Sequence, residues 1–204
     1  MRKEKIIAAL VIGCILSYVL SVLVLAHIKP EYNHFTDLVS ELGRSGEPFN
    51  YVLNMVLILS GIGLMLMAWS ISKLISTSKT SKYATISMGL FGVSVLCGGI
   101  FTCDSSCLAP TSYSGFLHAI TGMPAVITAP TAFILFGRTF RSSPHFVSIS
   151  AIVFWLGIAS IFAMVASAVI FPYINLMGLG QRIAAIFQLT VPFIIAYKLF
   201  SYPI

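Results

Sequence analysis

Charge is what this chain has least of. Lys, Arg, Asp and Glu together make up 9% of its 204 residues, and only six of those residues are acidic. Soluble domains carry about 25% charged residues. With 58% hydrophobic residues and a mean hydropathy of +0.98, the chain has more apolar surface than a soluble core of this length can hide. Other things are missing too. There is no Gly-rich phosphate loop, no G-x-S-x-G elbow and no pair of histidines placed to hold haem inside a bundle. Their absence argues against nucleotide-driven, α/β-hydrolase and haem chemistry. No internal repeat stands out.

What is present is six apolar segments, each of about the ~20 residues that cross a ~30 Å hydrocarbon layer: Ile6–Ala26, Tyr51–Ser72, Ala84–Phe101, Leu117–Gly137, Phe146–Ile170 and Ile183–Phe200. They fill most of the sequence and leave no room for a soluble domain. The pattern predicts one polytopic domain over residues 1–204, an all-α six-helix transmembrane bundle. The basic start Arg2-Lys3-Glu4-Lys5 resembles that of a signal peptide. Its apolar run is too long for one and no A-x-A site follows, so the segment reads as a retained first helix.

The cations set the expected orientation. With the N-terminus in the cytoplasm, Arg2, Lys3, Lys5, Lys73, Lys79, Lys82, Arg138, Arg141 and Lys198 fall inside, and only Lys29, Arg44 and Arg182 outside. That asymmetry predicts a multi-pass protein of the cell membrane with both termini cytoplasmic. The net charge of +6 is then explained by topology and anionic inner-leaflet lipid rather than nucleic acid. Membrane lipid is the expected partner.

The acids lie the other way: Glu31, Asp37, Glu41, Glu47 and Asp104 all fall outside. They mark either a solvated face or a polar site. The first outer segment, "HIKPEYNHFTDLVSELGRSGEPFN", reads as an amphipathic interfacial helix opened by Pro30 and closed by Gly43 or Gly46. On such a helix Tyr32, Phe35, Leu38, Val39 and Leu42 share one arc, and His34, Asp37 and Glu41 share another. His, Asp and Glu at that spacing supply ligands for a divalent metal such as zinc, with His118 or Asp104 as the further donor. A polar face that simply meets water is the plainer reading.

The stretch "GGIFTCDSSCLAP" follows the third apolar run. Outside the cytoplasm, Cys103 and Cys107 are expected first as a structural disulfide, ahead of free thiols or a redox or metal pair, since C-x-x-x-C departs from the redox spacing C-x-x-C. Such a clip would constrain Asp104, Ser105 and Ser106 locally. Asp104, His118, Asn54, Gln181, Arg182 and Glu41 are all expected at one depth near the outer border. Ionisable groups at such a depth default to a functional reading. An Asp104–Arg182 ion pair beside His118 is expected, with Arg44 as the fallback partner of Glu41. Small residues, Gly89, Gly92, Gly98 and Gly99 among them, are expected to serve helix packing.

The spaced set "NHFTDLVSELGRSGEPFN", "GGIFTCDSSC", "LHAITG" and "GLGQR" resembles domain-of-unknown-function family 998, prokaryotic six-helix membrane proteins, over nearly the whole chain. Residue by residue the resemblance points to Ser40, Glu41, Leu42, Gly43, Asp104, His118, Gln181 and Arg182. A more distant similarity is to the membrane hydrolases that include alkaline ceramidases and progestin/adipoQ receptors. It implies a zinc site echoed by Ser40, Asp104 and His118, although the seventh helix and its H-x-x-x-H are absent here. The sequence therefore favours a membrane protein that binds or handles a lipid or other amphiphile at an outer-rim pocket, through Ser40, Asn54, Gln181 and Arg182. A membrane-embedded hydrolase using Asp104, His118 and Glu41 comes next, with a transporter and a thiol oxidoreductase behind it.

Overall fold

The structure, a computed structural model, describes residues 2–105, 107 and 109–201, without the side chain of Arg2. It contains six long helices: α1 (Arg2–Ile28), α2 (Asn50–Ser72), α3 (Lys79–Ile100), α4 (Tyr113–Phe140), α5 (Ser150–Tyr173) and α6 (Met177–Phe200). Each is long and apolar enough to cross a membrane. No strand occurs among the described residues. The helices match the six expected segments, with α1 and α6 starting several residues earlier and α5 several later; α3 and α4 also start early. The reason is capping: the Ser78 hydroxyl accepts from Ser81 N, and the Ser112 hydroxyl accepts from Gly115 N. Each serine satisfies an otherwise orphaned first-turn amide.

Every helix packs against its neighbours in sequence, and α6 closes back on α1. The result is a closed ring. The end carrying the α1–α2, α3–α4 and α5–α6 connections is called distal here, and the end carrying both termini proximal. The proximal half is filled by aromatic rings. Phe133, Phe136, Phe140 and Phe146 are almost wholly buried; Phe140 stacks on Phe136 and Phe146 with centroids 5.3 and 4.5 Å apart. Met67, Ile71, Met88 and Ile195 complete this plug.

Small residues set the α2–α3 spacing. A Cβ on Gly61 would meet the carbonyl oxygen of Gly92, and one on Gly92 would meet that of Gly61 at 2.8 Å. The two backbones therefore touch, as small residues permit between membrane helices. Gly99 likewise presses on Asn54 O. Gly89 and Gly98, expected to do the same, do not: a Cβ at either meets nothing within 4 Å.

The segment between α1 and α2 is not the amphipathic helix expected from Pro30 onward. It is a run of turns followed by a short 3-10 helix, Val39–Gly43. Local side chains compete with the helix. Glu31 adopts a left-handed φ of 59°. Asn33 Oδ1 accepts from Phe35 N at 2.9 Å, and Asp37 Oδ2 accepts from Asn33 N at 3.0 Å. Short polar side chains of this kind offer the backbone turn partners in place of helical ones. Phe35, assigned to the apolar arc, is instead 57% exposed, whereas Val39 and Leu42 are buried.

Gly92→Leu is expected to force α2 and α3 apart. Overpacking of about 1–3 kcal/mol corresponds to a fall of roughly 2–12 °C in the melting temperature for a chain of this size. Gly89→Leu should leave it unchanged or raise it. Thermal unfolding of the two purified variants checks the contrast.

Candidate functional site

The distal segment has irregular backbone, and α6 satisfies much of it. Gly178 N and Leu179 N, in the first turn of α6, donate to the carbonyls of Thr36 and Phe35 at 3.3 and 2.9 Å. Gly178 is glycine for a reason, since a Cβ there would collide with Asp37 O. One turn on, Gln181 Oε1 accepts from Val39 N at 2.5 Å. Arg182 spreads its guanidinium over Asp37 O (3.0 Å), Gly178 O (2.9 Å) and the Tyr32 hydroxyl (2.7 Å). That hydroxyl passes its own proton to Leu38 O at 3.0 Å. Burial pushes the Tyr32 phenol up from its ordinary pKa, opposed by the hydrogen bond and charge of Arg182.

Asn54 Nδ2 donates to Gly43 O at 2.9 Å, and Asn50 Nδ2 to Arg44 O at 2.8 Å, tying the far side of the segment to α2. Arg44 Nη1 reaches Ser105 O, and Ser45 bonds Thr102. The segment is thus pinned to α2, α6 and the α3–α4 connection. It forms a roof.

The expected Asp104–Arg182 ion pair is absent, because each group has taken other partners. Arg182 has the main-chain carbonyls described above. Asp104 lies over the start of α4, where its carboxylate accepts from Ser112 Oγ (2.6 Å), Thr111 N and Ser112 N. A Cβ on Gly115 would strike this carboxylate, so glycine is needed there. The Ser112 hydroxyl and the Thr111 and Ser112 amides hold Asp104 at a pKa of about 2. A carboxylate beside a helix N-terminus is also favoured by the helix dipole.

Glu41 pairs with neither Arg182 nor Arg44. Its Oε1 accepts from Leu38 N at 3.2 Å and its Oε2 lies 3.8 Å from Lys29. Arg44 instead binds Glu47, which also faces Lys29 at 3.3 Å.

Cys103 and Cys107 form a disulfide, with Cα atoms 4.9 Å apart. Ser106, inside this clip, lies outside the described residues. The Cys103 sulfur sits 3.4 Å from Ser40 O, so the clip abuts the roof.

The candidate metal residues do not gather. The helix that would align His34, Asp37 and Glu41 is not formed. Asp37 is occupied by Asn33 N and by Thr36 Oγ1 at 2.8 Å, and His34 is exposed with its ring edge-on to Tyr32. Among the described residues no group of three or more His, Cys, Asp or Glu is placed to hold a metal.

Four of the named residues do converge. Ser40, Asn54, His118 and Gln181 line one cavity of about 150 Å³ under the roof, with Gly98, Thr102 and Cys103. Asp104 lines an adjoining open groove with Arg44, Glu47 and Ser112, which shares Thr102 and Cys103 with the cavity. His118 Nδ1 lies 2.7 Å from Phe101 O. A carbonyl only accepts, so the proton is on Nδ1; in the neutral ring Nε2 is then an acceptor. Nε2 has no partner among the described residues, and neither does the Ser40 hydroxyl.

Three residues missed by sequence reasoning complete the picture. Tyr18, Leu57 and Val95 line this chamber and also a second cavity of about 90 Å³ below it. The lower cleft runs between α1, α2, α3 and α6, past Cys14, Ser60, Phe91, Gln188 and Pro192. The hydroxyl of Tyr18 and the side-chain amide of Gln188 make no hydrogen bond among the described residues. Pro192 also has no N–H to give the carbonyl of Gln188 four residues earlier. A glutamine four residues before a proline in an apolar span was the available signal.

A carboxylate held below its ordinary pKa stabilises the fold above that ordinary value, and the contribution fades as pH falls through the depressed one. The melting temperature of the wild type should therefore drop between about pH 4 and pH 2 through Asp104. In Asp104→Asn that part of the drop should vanish and the melting temperature at neutral pH should be lower. Thermal melts across this range compare the two proteins.

No curated protein and no solved structure matches the chain. One family model does, over residues 11–198: protein of unknown function, DUF998. That match spans all but the ends of the six-helix ring, and the chain belongs to this family of membrane proteins.

Proposed function

We propose that this membrane protein binds an amphiphile at its distal end, with the polar head in the roofed chamber and the chain in the cleft below. The observation that carries this reading is the shared wall: Tyr18, Leu57 and Val95 border both spaces, which are both mainly apolar, while the upper one adds the polar side chains of Ser40, Asn54, Thr102, His118 and Gln181. Ligand sites of this kind combine an apolar lining with a few convergent polar groups.

The distal end is extracytoplasmic in this proposal. Lys29, Arg44 and Arg182 are its only Lys or Arg residues, and the other nine sit at the proximal end or in its connections. That is the positive-inside pattern with both termini cytoplasmic in a cell membrane. A fluorescent reporter on the C-terminus should light up, and alkaline phosphatase fused there should stay inactive. The reverse result overturns the orientation.

Binding is favoured over hydrolysis by where the carboxylates are. Asp104 is spent on the start of α4, and Glu41 on Leu38 N and Lys29. Neither lines the chamber into which His118 faces, so no acid there is left to work with His118 on a water molecule.

Gly98→Leu tests the site. The new side chain enters the chamber, and its Cβ meets nothing within 4 Å. Leu also favours the helix by about 0.8 kcal/mol over Gly. The variant should insert, extract and melt like the wild type. It should lose the lipid that copurifies with the wild type, read by mass spectrometry of the extracted ligand. Equal lipid in both proteins would overturn the site.

A further inference from the structure

We infer that the ligand of the chamber is a single-chain amphiphile whose head is small, uncharged and hydroxyl- or amide-bearing, rather than a phosphate, carboxylate or ammonium. This rests on the amphiphile reading above and names its chemical class.

The first support is charge. No Asp, Glu, Lys or Arg lines the chamber. The ionic groups nearest in sequence to its lining residues are already spoken for. Arg182 is fanned over Asp37 O, Gly178 O and Tyr32, and Lys29, Glu41, Glu47 and Arg44 neutralise one another. Asp104 is bound at the head of α4. A charged head entering here would leave water without meeting a counter-ion, which is strongly unfavourable.

The second support is the pattern of unused hydrogen-bonding groups. Gln181 spends its oxygen on Val39 N and keeps its NH₂ to donate. Asn54 spends one amide proton on Gly43 O and lays its oxygen against the Cα of Gly43, which leaves its second amide proton to donate. His118 spends Nδ1–H on Phe101 O and presents Nε2 as an acceptor. The hydroxyls of Ser40 and Tyr18 do either. The wall thus offers both donors and acceptors. A hydroxyl or an amide, each both donor and acceptor, satisfies such a wall, whereas a phosphate only accepts and an ammonium only donates.

The third support is size. A cavity of about 150 Å³ matches one that holds a benzene-sized guest. Glycerol or ethanolamide fits that scale. The cleft beneath, at about 90 Å³ between four helices, is smaller than that and takes only the first few carbons of one alkyl chain.

The experiment uses the full chain in nanodiscs and four amphiphiles of equal chain length: a monoacylglycerol, an N-acylethanolamine, a fatty acid and a lysophosphatidylcholine. Affinities are measured by native mass spectrometry for wild type, Gly98→Leu and Ser40→Asp. The two neutral ligands should bind the wild type at least about tenfold more tightly than the charged ones, in line with an uncompensated buried charge, and should be lost in Gly98→Leu. Ser40→Asp should weaken them, and a long-chain amine of the same length, run as an added ligand, should bind this variant more tightly than the wild type. Charged heads that bind the wild type equally well or better, and are lost in Gly98→Leu, would overturn the neutral class while the amphiphile site stood. If none of the four bound the wild type, or all bound Gly98→Leu unchanged, the site itself would fall.

Discussion

The distal architecture depends on one constraint. Residues 29–49 lie at the end of a membrane-spanning ring without forming a long helix, so their amides and carbonyls must find partners outside their own backbone. Turns within the segment and asparagines of α2 supply many of them, and the start of α6 supplies partners for residues 35–37 and 39. Its free N–H groups, which any helix leaves unsatisfied, donate to Thr36 and Phe35, and Gln181 and Arg182 take the next amide and carbonyls along. Arg182 suits this role because a planar guanidinium serves several oxygens at once without needing a carboxylate. The need to seat this segment explains why Gly178 has no side chain and why Arg182 is unavailable to Asp104.

Once seated, the segment divides the molecule into two regimes. Toward the proximal end the middle of the ring is filled by stacked phenylalanines and methionines, with a cavity of about 220 Å³ beside Phe146 and Leu199. Toward the distal end α2 and α3 are held in backbone contact by Gly61 and Gly92, while Gly98, one or two turns further out, faces open space. The same residue type closes the ring at one depth and opens it at another. Which happens depends on the neighbouring helix, not on the glycine.

Charge is handled by exclusion. The few ionised groups of the distal end are paired at the roof or capped at the head of α4, where water and helix dipole stabilise them, and none lines the chamber. What remains inside are amides, hydroxyls and one imidazole. The Cys103–Cys107 clip fixes the α3–α4 connection against Ser40. It holds Thr102 and Asp104 in place, one toward the chamber and the other away from it.

Much of this was legible in the sequence. Hydropathy fixed six spans because hydrocarbon thickness sets helix length. The disulfide and the gathering of Asn54, His118 and Gln181 at one end followed from their places at the span borders, whereas Glu41, Asp104 and Arg182, expected with them, do not line the chamber. Three things were not legible. Periodicity suggested a helix from Pro30, but Asn33 and Asp37 satisfy the backbone locally, and that contest is decided by φ/ψ choices such as Glu31's. Opposite charges at similar depth suggested an Asp104–Arg182 pair, but depth does not say which side of a ring each faces. Nor does a helical span reveal where it stands off its neighbours: the cleft beneath Tyr18, Leu57 and Val95 exists only because four helices leave it between them. Sequence alone determined the spans and the residues gathered at each end, since those depend on the solvent around each segment. Only the tertiary structure decided which polar groups were consumed in holding the roof and which were left to line the chamber, because hydrogen-bond partners are assigned by three-dimensional proximity.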